Sequence, residues 1–323
     1  MSCPGEDDRH FRGPARSPTF VGMTAIQVRD LRKRYGDVEA LRGVSFTVEP
    51  GEVFCLLGPN GAGKTTATEI VEGHRLPDAG EVCVLGHDPG RGERALRERI
   101  GVVLQSCGVQ EELTVGELIE MHGRWYERPR PVDELIELVR LDAKRDTRAK
   151  ALSGGQRRRL DLALGLVGDP DVLFLDEPTT GFDPHARRQA WSTIRDLCTL
   201  GKTVFLTTHF MDEAQALADR VAVMVAGEIV ASGPPEALGG RDELPTEIRF
   251  RLPAEIRLGD LPTLPAATVD EHDGEVRVTS GEGLAAAHAL TGWALERGWP
   301  LRGFSVAQPS LEDVYLDLTR EAA

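Results

Sequence analysis

Apolar and polar residues alternate from Ala25 to Arg32 and again from Val44 to Val48, each stretch bounded by turn-forming residues. Half-buried strands have this pattern, so the two stretches predict a small antiparallel sheet. After Pro50-Gly51 the alternation gives way to Val53-Phe54-Cys55-Leu56-Leu57. A run with no polar member predicts a central strand covered on both faces. From Glu111 to about Lys150 the period lengthens, with Leu135, Leu138 and Val139 at helical spacing, and the region reads as a helical insertion. Core strands return at Val172 to Leu175, Thr203 to Thr208 and Val221 to Val225, separated by helical stretches at His185 to Leu197 and Met211 to Asp219. Strands alternating with helices predict a largely parallel α/β sheet.

Gly233-Pro234-Pro235 and Gly239-Gly240 punctuate the chain, and the order of elements changes beyond them. Short strands are expected around Glu247 to Leu252 and Glu275 to Thr279, then a helix at Leu284 to Arg297 and an extended stretch near Phe304. A last helix opens at Ser310, with Asp313 three residues on as its capping partner. Leu311, Val314, Tyr315 and Leu318 fall on one face of that helix, which is expected to pack on the small second domain. The expected division is a tail at 1–23, a main unit at 24–238 with its helical insertion at about 106–168, and a small α+β unit at 239–323.

Composition narrows this picture without redirecting it. A chain of 323 residues is too long for one average domain, and 41% hydrophobic with 28% charged residues excludes disordered and fibrous classes. The net charge of −14 repels phosphate backbones, so nucleic acid is not expected as a partner. No run approaches the roughly 20 apolar residues that a bilayer-spanning helix needs, so any membrane link must come through another chain. Met1 to Gly22 is rich in Pro, Gly, Arg and Asp, lacks the apolar core of a secretory signal, and reads as a disordered tail. Regular alternation starts just after Met23, which points to translation beginning there. The five cysteines form no Cys-x-x-Cys pair, which suits reduced thiols in a cytosol and argues against zinc.

The chemistry concentrates in three motifs. Gly58-Pro59-Asn60-Gly61-Ala62-Gly63-Lys64-Thr65 matches the phosphate-binding loop pattern and stands between a buried strand and a helical Thr66 to Val71. Its glycines let successive N–H groups point at phosphate oxygens, Lys64 neutralises phosphate charge, and Thr65 offers a hydroxyl to magnesium. Strand Val172 to Leu175 runs into Asp176-Glu177-Pro178, and ligands of a parallel sheet lie beyond the carboxyl ends of its strands. Asp176 suits magnesium, directly or through water, and Glu177 suits orienting and deprotonating an attacking water. Leu152-Ser153-Gly154-Gly155-Gln156 admits two readings: an ordinary Ser-x-x-Gln capping box, or a second anion site at a helix start with bare backbone and a free hydroxyl. Arg157-Arg158-Arg159 would splay around a helix and reads as a solvated face. Cys107 reads as a small hydrophobe.

With LSGGQ between the two nucleotide motifs, the chain from Thr24 to Ser232 resembles the nucleotide-binding subunits of ABC transporters. The resemblance implies a phosphate-loop NTPase fold with a mixed sheet core, an antiparallel β subdomain and a helical insertion. It also implies roles by position: Tyr35 stacking on adenine, Gln105 as the glutamine of the Q-loop near metal and partner, Asp183 in the D-loop, and His209 as the switch histidine. Each keeps a plainer alternative: Tyr35 as a hairpin aromatic, Gln105 as a surface residue, Asp183 as the cap of the next helix, His209 as a capping side chain. The D-loop reads Gly181-Phe182-Asp183-Pro184, where many family members have Leu before Asp. Phe304 through Thr319 looks like the tail of the daunorubicin-resistance type, whose partners are ABC-2 type permeases.

The implied activity is hydrolysis of ATP with Mg2+ as cofactor. One phosphate loop and one signature per chain imply a homodimer, or a heterodimer with a related ATPase, closed over two nucleotides at the cytoplasmic face of the membrane. Export of a drug or secondary metabolite through a separate permease is the expected function. Polysaccharide or lipid export and a non-transport ABC ATPase are the alternatives.

Overall fold

The computed structural model describes residues 24–103, 108, 110–240, 244–253, 256–272, 274–308 and 310–321, with 317–321 as backbone only. Gln105 and Cys107, the tail at 1–23 and the side chain of Leu318 lie outside the described residues.

Strands β1 (Ile26–Tyr35) and β2 (Val38–Val48) form the expected antiparallel pair, closed by a tight turn at Gly36-Asp37. Strand β3 (Val53–Leu57) is buried at all five positions and leads through the phosphate loop into α1 (Lys64–Val71). Then follow β4 (Ala79–Val84), α2 (Arg94–Arg97), β5 (Ile100–Val103) and the insertion helices α3 (Val115–Gly123) and α4 (Val132–Leu138). Helix α5 (Gly154–Leu166) leads to β6 (Val172–Asp176), α6 (Pro184–Thr199), β7 (Thr203–Thr208), α7 (Met211–Leu217), β8 (Arg220–Val225) and β9 (Glu228–Gly233).

The main sheet has the order β5-β6-β7-β3-β8-β9, parallel except for β9 at its edge. Strand β9 escapes a reading based on apolar runs because no residue in it is fully buried. A second sheet, β2-β1-β4, carries a third strand that periodicity did not single out, since Ala79-Gly80-Glu81 at its start is exposed.

Period-two geometry sorts the central residues into two cores. Val53, Cys55, Leu57, Leu173, Leu175, Val204 and Leu206 face the helical side with α3, α4 and α5. Phe54, Leu56, Phe174 and Phe205 face the antiparallel sheet, where Phe46, Phe54 and Phe205 stack at 5.1 and 5.6 Å. Each such ring contributes about 2–3 kcal/mol of burial, beside aliphatic neighbours such as Ile26, Leu31, Leu41 and Leu56 in the same core.

The C-terminal unit consists of β10 (Thr246–Arg251), β11 (Ala267–His272), β12 (Glu275–Ser280), α8 (Gly283–Arg297), β13 (Arg302–Ala307) and α9 (Leu311–Glu321). Its antiparallel sheet has the order β11-β12-β10-β13, with α8 covering Ile248, Phe250, Val276 and Val278. Ser310 and Asp313 cap α9 as expected. The packing of that helix differs from the expectation. Leu311 and Tyr315 join the helical-side core of the main unit, with Leu217 of α7 and Leu238. The apolar stripe fixes that α9 is buried on one side, but not against which body, because any apolar surface of the right shape can receive it.

Candidate nucleotide site

Strand register assembles the site. Leu57 pairs with Thr208 and Asp176 with Thr207, so β3, β6 and β7 end side by side and Gly58, Glu177 and His209 leave the sheet at one edge. In the phosphate loop, a Cβ on Gly58 would lie 2.3 Å from the Met224 carbonyl, and one on Gly63 2.5 Å from that of Ala40. Gly63 also has φ near 105°, a region L-residues avoid. A turn at Ala226-Gly227 braces the loop from outside, with the Gly227 N–H donating to Ala62 O at 2.9 Å. Helix α1 begins without any side-chain cap, so its first-turn N–H groups remain for an anion. Lys64 is 5% exposed and donates to the carbonyls of Gly58 (2.7 Å) and Pro59 (3.1 Å). Burial lowers its pKa, while Glu177 and Asp176 pull it back up.

Glu177 is the centre of the cluster. Its carboxylate lies 3.9 Å from Lys64 Nζ and 3.1 Å from His209 Nδ1, and accepts from the Thr180 hydroxyl at 3.1 Å. Its backbone has φ of 46°, which costs a non-glycine residue roughly 1–3 kcal/mol and persists only where neighbours enforce it. Its N–H is held by the carbonyl and hydroxyl of Thr207, at 3.1 and 3.2 Å. The Thr207 hydroxyl also donates to Asp176. Thr65 is exposed at the opening of α1 and Asp176 is half-buried at the end of β6, and each offers an oxygen donor. Hard oxygen donors suit magnesium.

Among the described residues, Ser153, Gln156, Asp183 and Tyr35 make no hydrogen bond to this cluster. Ser153 and Gln156 close a reciprocal capping box at the start of α5: the Gln156 N–H donates to Ser153 Oγ at 3.3 Å, and the Ser153 N–H to Gln156 Oε1 at 3.0 Å. Ser153 and Gly154 are exposed, and a Cβ on Gly154 would meet nothing within 4 Å. Asp183 caps α6, accepting from the N–H groups of Ala186 (2.9 Å) and His185 (2.8 Å), which hold its pKa below the usual carboxylate range. Tyr35 is 40% exposed at the end of β1, with the Arg75 guanidinium 5.2 Å from its ring centroid.

Arg157-Arg158-Arg159 is not the solvated face expected of it. Arg157 pairs with Glu111 at 3.0 Å, Arg159 donates to the Arg140 carbonyl at 3.0 Å, and Arg158 donates to the carbonyls of Asp176 and Pro178. Splaying around the helix is correct, but each direction meets another part of the fold. Glu213 was not foreseen either: it is fully buried in α7 and accepts from Thr179 (2.7 Å) and Trp191 (3.1 Å). The only sequence signal for Thr207 is a polar end on an otherwise apolar strand, and Glu213 has none. At the far end of α1, Glu72 is buried with Oε1 unpartnered, and burial, helped by Asp176 and Glu69, pushes its pKa up to about 8.

A family model described as ABC transporter matches residues 41–180, and one for the C-terminal domain of ABC transporter domain-containing proteins matches 246–310. A Nod factor export ATP-binding protein I of Rhizobium sp. (strain N33) is 40% identical over 318 residues, covering 93% of this chain and 98% of the relative. The chain belongs to the ABC transporter family. Another protein of that description, from Rhizobium meliloti (strain 1021), is 42% identical over 314 residues, covering 95% of this chain and 90% of the relative. Among solved structures, the ADP conformation of MJ1267, an ATP-binding cassette of an ABC transporter, aligns with a TM-score of 0.58 at 26% identity. It covers 66% of this chain and 92% of that one. The Clostridium perfringens cbiO1 structure aligns at 0.60 and 29% identity, over 66% and 89% of the two chains. This ABC cassette is therefore the ATP-binding and ATP-hydrolysing subunit of an ABC transporter. Among the described residues no helix is long and apolar enough to cross a membrane.

Proposed function

We propose that two copies of this cassette, or one copy and a related ATPase, close over two ATP molecules and drive export through a separate ABC-2 type permease. The observation that carries the reading is the separation of the two anion-binding features. Lys64, Asp176, Glu177 and His209 converge on one edge of the sheet, while Ser153-Gly154 stands exposed on α5, joined to none of them by a hydrogen bond among the described residues. A second chain would bring the missing face.

In this reading the phosphate loop and Lys64 hold the triphosphate, with Gly58, Pro59, Asn60, Gly61, Ala62, Gly63 and Thr66 shaping the cradle. Thr65, Asp176 and Gln105 hold magnesium, which offsets phosphate charge when bound. Glu177 orients and deprotonates the attacking water, and His209, already at 3.1 Å from it, senses the γ-phosphate. Tyr35 stacks on adenine. Ser153, Gly154, Gly155 and Gln156 of the opposite copy complete the site, with Asp183 at the seam. The catalytic unit spans 24–238, and the accessory unit begins at 239.

The permease docks near the helical insertion and keeps the cassette on the cytoplasmic face of the membrane. The relatives named for Nod factor export put the polysaccharide-or-lipid cargo ahead of the drug or secondary metabolite. Glu177→Gln tests the core of the reading: it retains ATP, loses hydrolysis by about 100-fold or more, and accumulates as an ATP-bound dimer in size-exclusion chromatography. Hydrolysis at the wild-type rate would remove Glu177 from its role.

A further inference from the structure

Arg158 sits two residues past the signature sequence, on the first turns of α5, yet its side chain points away from the signature face. The side chain is 12% exposed, and its guanidinium donates through Nη2 to the Asp176 carbonyl at 2.9 Å and through Nε to the Pro178 carbonyl at 3.1 Å. Asp161, one turn further along α5, supports it from 4.0 Å. These two carbonyls belong to the residues on either side of Glu177, the residue with φ of 46°. A planar fork fixed to both flanking peptides restrains the orientation of the peptide units between them, which a single hydrogen bond would leave free to rotate.

We propose that Arg158 is a positioning residue that transmits engagement of the signature helix to the Glu177 carboxylate of the same chain, coupling the two nucleotide sites of the dimer. The inference rests on the sandwich reading above. In that arrangement the N-terminus of α5 meets the opposite nucleotide while Glu177 acts on its own, so a rigid link between them makes each site's hydrolysis depend on occupancy of the other. The link is short: backbone of α5, one side chain, and the two peptides that bracket Glu177. A shift of the helix by a fraction of an ångström reaches the carboxylate without passing through any flexible segment.

Three measurements on the full-length chain test this. Arg158→Met lowers kcat about 10-fold and brings the Hill coefficient for ATP to about 1, while affinity for a fluorescent ATP analogue stays within about 2-fold, because the lost contact acts on the transition state and not on ground-state binding. Arg158→Lys, whose single ammonium cannot bridge both carbonyls in a plane, falls between Met and wild type. It also keeps the test open should the Met variant fail to fold, as thermal melting would reveal. Combined with Glu177→Gln, Arg158→Met still forms the ATP-bound dimer, since the fork is not part of the clamp. Wild-type kcat and Hill coefficient in a folded Arg158→Met protein overturn the coupling. Lost analogue affinity overturns it too, by reducing Arg158 to a scaffold. A Glu177→Gln protein that never dimerises, or wild-type turnover with a Hill coefficient of 1, overturns the sandwich reading itself.

Discussion

Helices α1 and α5 both begin on glycine-rich sequence, and they solve the problem of the bare helix start in opposite ways. Helix α1 opens at Gly63 with no side-chain cap, and Lys64 is folded back onto the Gly58 and Pro59 carbonyls inside the loop. Helix α5 opens at Ser153, whose hydroxyl and N–H are both engaged with Gln156. The first start is left open for an anion at the cost of local stability. The second is stable alone and, in the proposed dimer, exchanges an internal hydrogen bond for an external one. A loop meant to hold its ligand within one chain has no use for a self-satisfying cap. One meant to meet a ligand intermittently, from outside, gains from being ordered while it waits.

Lys64→Ala breaks the comparison hardest. Removing the only side chain that neutralises phosphate within the loop lowers ATP affinity about 100-fold, or roughly 2.7 kcal/mol, in isothermal titration. Affinity within a few-fold of wild type would mean that the backbone cradle suffices and that the two starts differ less than their caps indicate.

The far end of α1 gives the next effect. Glu72 titrates near 8 when folded and near 4.5 when unfolded, so the folded state holds the proton more tightly. That contribution to stability is complete below about pH 4.5 and is lost as pH rises through 8. Glu72→Gln, neutral at every pH, should match wild type near pH 4.5 and exceed it by on the order of 2 kcal/mol at pH 8.5, a melting shift of roughly 5 °C in calorimetry of nucleotide-free protein. An equal shift at both pH values would place the cause outside the carboxyl.

Ser153→Ala gives the smallest change in stability, about 1 kcal/mol from the lost cap. It should leave nucleotide binding to the single chain unchanged while hydrolysis falls about 10-fold. A stability loss with full turnover would leave Ser153 as a capping residue and nothing more.

How far the chain could be read without its fold depended on whether a motif is contiguous. The phosphate loop, Asp176-Glu177 and the signature are each local, and their flanking strands announce themselves by unbroken apolar runs, so loop, sheet edge and helix start were all legible. Strands β4 and β9 were not, because exposed polar residues weaken their pattern and pairing alone makes them strands. Arg158 and Glu213 were invisible for a related reason. An arginine in a row of three, or a glutamate among helical acids, acquires meaning only from the carbonyls, hydroxyls and indole that folding brings to it.

Sequence order alone determined which groups could meet a phosphate, which strand would be central and where the helices would start, since these follow from side-chain chemistry and from periods of two and 3.6 residues. Tertiary structure decided who stands beside whom. Register between β3, β6 and β7 brought Lys64, Glu177 and His209 to one edge, and packing sent α9 onto the main unit instead of the small one. Hydrogen bonds across tens of residues turned Arg158 inward. A local pattern specifies the kind of surface an element presents, but the partner for that surface is chosen by the global minimum of burial and hydrogen bonding, which no window along the chain contains.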